Sequence, residues 1–287
     1  MRKFFLIILG CITLISLQSP CSQTSEIRIV SLAPSITEMI DDLGMAKHLI
    51  GITTYCKLPE EADQAVVIGS LTSPSIEKIV SLQPGVIFAD RESNRETVLQ
   101  RFESAGFRLV RLGPIQNYED IVQSFMTIAR TLEIESKAQE MVQQVNQRLQ
   151  EIRELIENQP KPKVFIEIWH KPLKTVSAKG FIHSIFEQAG AQNVFADSPV
   201  AYPNISMESV IAQKPDYIAI LTHSLIDEDR VRQYQHFPVT SEAVIRQFDA
   251  AEITQPTLIH YVESVEILAR WLHPTVMSSS PEAEAED

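Results

Sequence analysis

Glu77 and Glu208 stand in two stretches of one pattern, SIEKIVSLQPGVIFA at 75–89 and SMESVIAQKPDYIAI at 206–220. In each, the Glu follows a Ser by two residues, and a Pro comes seven residues after the Glu, ahead of an apolar run. Serine is a good helix N-cap, and a carboxylate in the first turn is favoured by the helix dipole by about 0.3–1 kcal/mol. That alone accounts for either glutamate. Two at matched places offer a further use: a pair of acidic knobs that meet basic pockets on a two-fold partner, where charge pairs steer encounter and set register.

Signs of catalysis are missing. There is no Gly-x-Ser-x-Gly elbow, zinc-protease helix, dinucleotide fingerprint or phosphate-cradling glycine loop, so the chain is read as a non-enzyme. Seven histidines are available, at 48, 170, 183, 223, 236, 260 and 273, but none forms a short-spaced pair. The net charge is −12, and −10 remains for residues 22–277 once the basic start and acidic end are set aside. Phosphate backbones need a basic face, so nucleic acid is excluded as a partner.

The first 21 residues are a different material. Arg2 and Lys3 precede the apolar run FFLIILGCITLISL, which is short and wrongly flanked for a membrane span and fits a signal peptide. The run ends at LQSPC, which resembles a bacterial lipoprotein signal with Cys21 as the acylated residue, although Gln18 and Pro20 depart from the usual small residues. With Cys21 acylated, Cys56 is left as a lone thiol and no internal disulfide forms. Export follows, to the periplasm or the outer face of the cytoplasmic membrane, with a lipid anchor at the membrane surface. The end of the chain, 278–287, is acidic and is read as disordered.

The elements that must place these residues alternate between strand and helix, which means parallel sheets covered by helices. The first block, 27–132, opens on a strand at Ile27–Leu32 and a helix capped by Ser35. A helix from Ser75, a turn at Pro84, a strand Val86–Ala89, a helix at 94–105, a strand Arg108–Leu112 and a helix at 117–132 follow. Between 134 and 158 a single helix carries Ala138, Met141, Val142, Val145, Leu149, Ile152, Leu155 and Ile156 on one stripe. It sits between two blocks of like style and reads as a strut between them. The second block, 163–274, repeats the theme with KVFIEIW and NVFA as strands. A helix from Ser206, a strand from Tyr217, a short strand near Ala243–Ile245 and a last helix at 256–272 complete it. The expected class is α/β, two Rossmann-like lobes bridged by one long backbone helix.

RIVSLAPSITEMIDDLG, SIEKIVSLQPGVIFA and YPNISMESVIAQKPDYIAI resemble the opening strand and helix and the two docking helices of periplasmic binding proteins for vitamin B12, ferric siderophores or haem. The likeness covers Arg28 to Pro274. It implies a monomer that serves an ABC importer, has no cofactor of its own, and carries a metal chelate such as a corrinoid, haem or ferric siderophore. It also implies that Glu77 and Glu208 meet arginines on the permease dimer. The ligand would lie between the lobes, at the carboxyl ends of the strands. Candidates there are Tyr55 and Cys56 in GITTYCKLP, Leu71, the RESN stretch with Arg91 and Asn94, Trp169 and His170, Tyr202 in AYPNIS, His223, and Asp249 in the loop QFDAAEITQP. Flat rings suit a planar macrocycle, and a thiol or imidazole could reach its metal. Each also has a plain reading, as a packed lobe residue, a turn residue or a satisfied surface group.

Vitamin B12-binding members carry a tryptophan near the place of Leu71 and an arginine near the final loop, where this chain has ITQPT. With few cationic candidates beyond Arg91, a corrinoid is favoured over haem and haem over an anionic siderophore. Two other readings stay open: a bare metal-ion binder on the same plan, and a ligand-capturing lipoprotein without a permease.

Overall fold

The computed structural model describes residues 27–222, 228–237, 240 and 242–278. The leader with Cys21, His223, and residues 279–287 of the acidic tail lie outside the described residues.

Strand β1 (Ile29–Ser31) is wholly buried and leads into helix α1 (Pro34–Asp42). Pro34, not Ser35, opens that helix: Ala33 is the N-cap and proline takes the first helical position, where its fixed φ fits and its missing N–H costs nothing. Strand β2 (Leu49–Ile52) follows, then three two-residue strands, β3 (Val66–Val67), β4 (Gly69–Ser70) and β5 (Ser73–Pro74). Helix α2 (Ile76–Leu82), β6 (Val86–Asp90), α3 (Glu96–Ser104), β7 (Leu109–Leu112) and α4 (Tyr118–Thr131) complete the first lobe. Its sheet is parallel, in the order β3-β2-β1-β6-β7.

Helix α5 (Glu135–Ile156) is the strut, about 33 Å long at 1.5 Å per residue. Its expected stripe is real: Ala138, Val145, Leu149, Ile152 and Ile156 are buried. Each large apolar side chain so buried contributes about 1.5–3 kcal/mol. The second lobe runs through β8 (Lys163–Glu167), the hairpin β9 (Trp169–His170) and β10 (Leu173–Lys174), α6 (Phe181–Gln188), β11 (Gln192–Asn193) and α7 (Met207–Gln213). Strand β12 (Tyr217–Thr222), α8 (Glu228–Gln235), β13 (Val244–Asp249), α9 (Ala250–Ile253) and α10 (Leu258–Leu272) follow. Its sheet is also parallel, in the order β11-β8-β12-β13.

Three expected strands differ. KVFIEIW does not stay in the sheet: β8 stops at Glu167 and the tryptophan turns into a hairpin. NVFA is not a strand; only Gln192–Asn193 pairs, while Val194 and Phe195 turn into the core. The strand near Ala243–Ile245 runs six residues to Asp249, because it pairs with β12 along its whole length. Its mixed sequence, VIRQFD, hides this.

The repeat noticed in the sequence is a repeat of structure. Ser75 and Ser206 each accept a hydrogen bond from a backbone N–H in the first turn. Both helices are seven residues long and end in a left-handed non-glycine residue, Gln83 (φ 47°) and Lys214 (φ 50°). The residue after each is proline, which bars the preceding residue from continuing the helix. After the proline, each segment enters an inner strand of its sheet, β6 or β12. A helix that feeds a parallel strand runs back against it, so the first turns of α2 and α7 both lie at the carboxyl edges of their sheets.

One apolar core runs through both lobes. It joins Ile36, Phe88 and Phe125 of the first to Ile166, Phe186 and Val265 of the second, with the stripe of α5 between. Polar ties fix the strut near its start and just past its middle. Lys137 Nζ donates to Leu43 O at 2.8 Å, and Arg148 grips Glu266 of α10 with two bonds of 3.0 and 2.9 Å. Smaller cores cover the far faces of the two sheets. Among the described residues no helix is long and apolar enough to cross a membrane.

Candidate functional site

In a parallel sheet, the connections leaving two adjacent strands in opposite directions leave a crevice at their carboxyl ends. In the first lobe that place is between β1 and β6, since β2 and β7 flank them on opposite sides. A cleft of about 380 Å³ lies there, walled by Ala33, Pro34, Ser35 and Ile36 after β1, by Asp90, Glu92 and Ser93 after β6, and by Leu112 and Gly113 after β7. Phe181, Tyr202, Gln255 and Pro256 of the second lobe close the other side. The size falls within the range of small-molecule sites.

Local geometry explains the walls. Asn94 is buried, and its amide donates to Leu32 O (3.2 Å) and Leu71 O (2.9 Å) while its oxygen accepts from Asp90 N (2.8 Å). It thus pins the ends of β1 and β6 and the β4–β5 turn to one another. That turn needs Gly69, at φ +124°, where a Cβ would stand 2.7 Å from Ser73 O. On the opposite wall, a Cβ at Gly180 would meet the Tyr202 ring at 3.1 Å and a Val176 methyl at 2.6 Å. The missing side chain is what seats the tyrosine.

The sequence profile of the periplasmic binding protein family matches residues 29–252. The chain belongs to that family. A vitamin B12-binding protein of Pectobacterium carotovorum is 31% identical over 195 residues, which span 67% of this chain and 70% of the relative. The solved periplasmic vitamin B12 binding protein of Vibrio cholerae shares 25% identity at a TM-score of 0.70, over 88% of this chain and 98% of that one. The periplasmic haem binding protein of the same organism superposes with a TM-score of 0.76 at 21% identity, covering 87% and 100%, which shows the fold. The curated relatives are binding proteins by name, not enzymes.

In this periplasmic binding protein, two of the candidate ligand residues, Leu71 and Tyr202, line the cleft. Asn94 sits behind its wall with its amide fully engaged, and acts through what it positions. Arg91 is exposed on the same loop and is not among the lining residues, whereas its neighbours Asp90, Glu92 and Ser93 are. Asp249 ends β13 and caps α9, accepting from Ala251 N at 2.8 Å. The cleft is reached instead by Gln255 and Pro256 beyond it. Tyr55 is 70% exposed after β2. Cys56 is half-buried with its Sγ 3.2 Å from Thr53 Oγ1.

Trp169 and His170 form β9 at the carboxyl edge of the second sheet, outside the 380 Å³ volume. The indole is half exposed, and its N–H donates to Lys171 O at 2.9 Å. Beneath this hairpin lies a buried charge pair. Arg230 Nε donates to Glu167 Oε1 at 2.6 Å, while Arg230 Nη2 and the Tyr234 hydroxyl both bond Glu167 Oε2. Among the described residues, no three His, Cys, Asp or Glu side chains are grouped to hold a metal ion.

One turn below the cleft, α1 turns carboxylates toward α10. Glu38 Oε2 lies 3.9 Å from His260 Nδ1, and Asp42 Oδ2 is buried with no hydrogen-bond partner among the described residues. Burial pushes the Asp42 carboxyl up to about 6, opposed by His260 and reinforced by Asp41, Glu38 and Glu263. Its place at a helix C-terminus adds to the cost of its charge. A carboxyl raised in the folded state lends stability that is full below pH ~4 and lost as the pH rises through about 6. Asp42→Asn is therefore expected to raise the melting temperature at pH 8 by about 2–4 °C, the equivalent of about 1 kcal/mol, with little change at pH 4. Thermal unfolding of both forms at pH 4, 6 and 8 checks it. A gain of equal size at all three would contradict the assignment.

Proposed function

We propose that this chain is an extracytoplasmic substrate-binding lipoprotein of an ABC importer. It captures a metal-chelate macrocycle between its lobes, a corrinoid in preference to haem or a ferric siderophore. It docks on a permease dimer through Glu77 and Glu208 and is held at the membrane by a lipid on Cys21. The observation that carries the reading is the cleft between the lobes, with a matched glutamate-bearing helix at the carboxyl edge of each sheet. Both glutamates are exposed, and the Glu208 carboxylate is held charged by hydrogen bonds from Ser206 and its own backbone N–H. The vitamin B12-binding relative at 31% identity supports the ligand class. A cleft of about 380 Å³ holds part of a macrocycle, and the remainder would extend toward the exposed faces of Trp169 and Tyr202.

Titration with cyanocobalamin, haemin and a ferric hydroxamate tests this, followed by tryptophan fluorescence and calorimetry. Cyanocobalamin is expected to bind with Kd below about 1 µM and to quench Trp169. Trp271 packs edge-on against Tyr217 and Phe248 and serves as the internal reference. In Trp169→Phe the quench should vanish while the calorimetric heat remains. Flat calorimetry with all three ligands would sink the macrocycle reading.

A further inference from the structure

The cleft has a charge character of its own. Its lining contains two carboxylates, Asp90 and Glu92, and no lysine or arginine among the described residues. The neutral polar side chains present are Ser35, Ser93, Tyr202 and Gln255. Asp90 is occupied: Glu92 N donates to its Oδ1 at 2.9 Å and the Ser93 hydroxyl to its Oδ2. Glu92 is exposed and makes no side-chain hydrogen bond or ion pair among the described residues. The cations closest in sequence do not answer it, since Arg91 and Arg95 are exposed and outside the lining. On the opposite wall, Lys179, next to Gly180, donates through Nζ to Pro199 O at 2.8 Å.

We propose that Glu92 is a specificity-determining residue, a fixed negative charge at the cleft wall that admits uncharged, amide-bearing or cationic ligands and turns away carboxylate-bearing ones. This rests on the macrocycle reading and narrows it. A ligand carboxamide can give its N–H to Glu92 and its carbonyl to a hydroxyl or the Gln255 amide. A ligand carboxylate can use only the second kind of partner, and meets Glu92 as a like charge. Tyr202 faces Glu92 from the other lobe. Burial, and to a lesser degree Glu92, hold its phenol protonated against the pull of the Phe181 N–H, so it enters the cleft as a neutral hydroxyl.

The test uses a ligand whose charge changes and whose shape does not: cyanocobalamin and its three propionamide-derived monocarboxylic acids, each titrated separately by calorimetry into the full chain and into Glu92→Gln. With the wild type, at least one acid should bind about tenfold more weakly than the parent, and raising the salt should shrink the gap. In Glu92→Gln that gap should close to within about twofold, because the acids gain relative to the parent. Equal binding of the parent and all three acids by the wild type overturns the proposal, as does a gap that persists in Glu92→Gln. The macrocycle reading fails separately. If haemin binds and no cobalamin does, the corrinoid preference is lost, yet the filter stands if haemin, with its two carboxylates, gains about tenfold in Glu92→Gln. Haemin binding that ignores Glu92→Gln overturns the filter alone, and binding of none overturns both.

Discussion

Arg230→Leu is expected to lower the unfolding free energy by about 3–5 kcal/mol, because it strands the Glu167 carboxylate in a buried site. In a chain of this size that amounts to a fall of roughly 10 °C in melting temperature. Removing both charges, as Glu167→Leu with Arg230→Met, should recover at least about half of the loss, since a buried pair replaced by apolar groups is often neutral. Denaturant titration of the wild type, the single variant and the double variant measures both effects. If the single change costs less than about 1 kcal/mol, the pair is not the buried anchor its geometry describes. Glu167 is the last residue of β8, immediately before the Trp169 hairpin, so ligand affinity should fall along with stability in the single variant and return in the double.

Charge reversal at both docking helices, Glu77→Arg with Glu208→Arg, is expected to cut uptake by cells at least about 100-fold while ligand affinity stays within about twofold. The two sites are exposed and neither lines the cleft, so the variant should fold and bind as before. Opposing like charges across an interface cost several kcal/mol, and every 1.4 kcal/mol is tenfold in affinity. Single reversals should fall between, which distinguishes two docking points from one. Undiminished uptake by the double variant would refute docking through these helices and favour a lipoprotein that only captures its ligand.

What the sequence could reveal depended on whether the physics is local. The two matched helices were readable because a serine cap, a short apolar turn and a proline all lie within ten residues of each other. The strut was readable because one face of α5 repeats for six turns. The β4–β5 and β9–β10 hairpins were not, since two-residue strands have no periodicity to detect. The cleft itself was half visible. Aromatic and thiol side chains draw the eye, yet the walls are largely backbone at the start of α1 and two carboxylates after β6. Asn94 looked like a ligand group because the RESN stretch follows the end of a strand. Only its three partners, at Leu32, Leu71 and Asp90, show that it is a bracket. Asp42 feels the charges of His260 and Glu263 on α10, more than 200 residues away, and no window of sequence contains that pairing.

The single core that passes from one lobe to the other has a consequence for traffic at the membrane. Because the halves share their interior, the spacing between Glu77 and Glu208 is expected to change little between the empty and loaded forms, which small-angle scattering of the two would check. Under the proposed docking, the transporter would then meet a gauge of constant width. Empty carriers would queue for the same seat as full ones, and the cell's supply of cargo would be governed by the ratio of the two rather than by the number of full carriers alone.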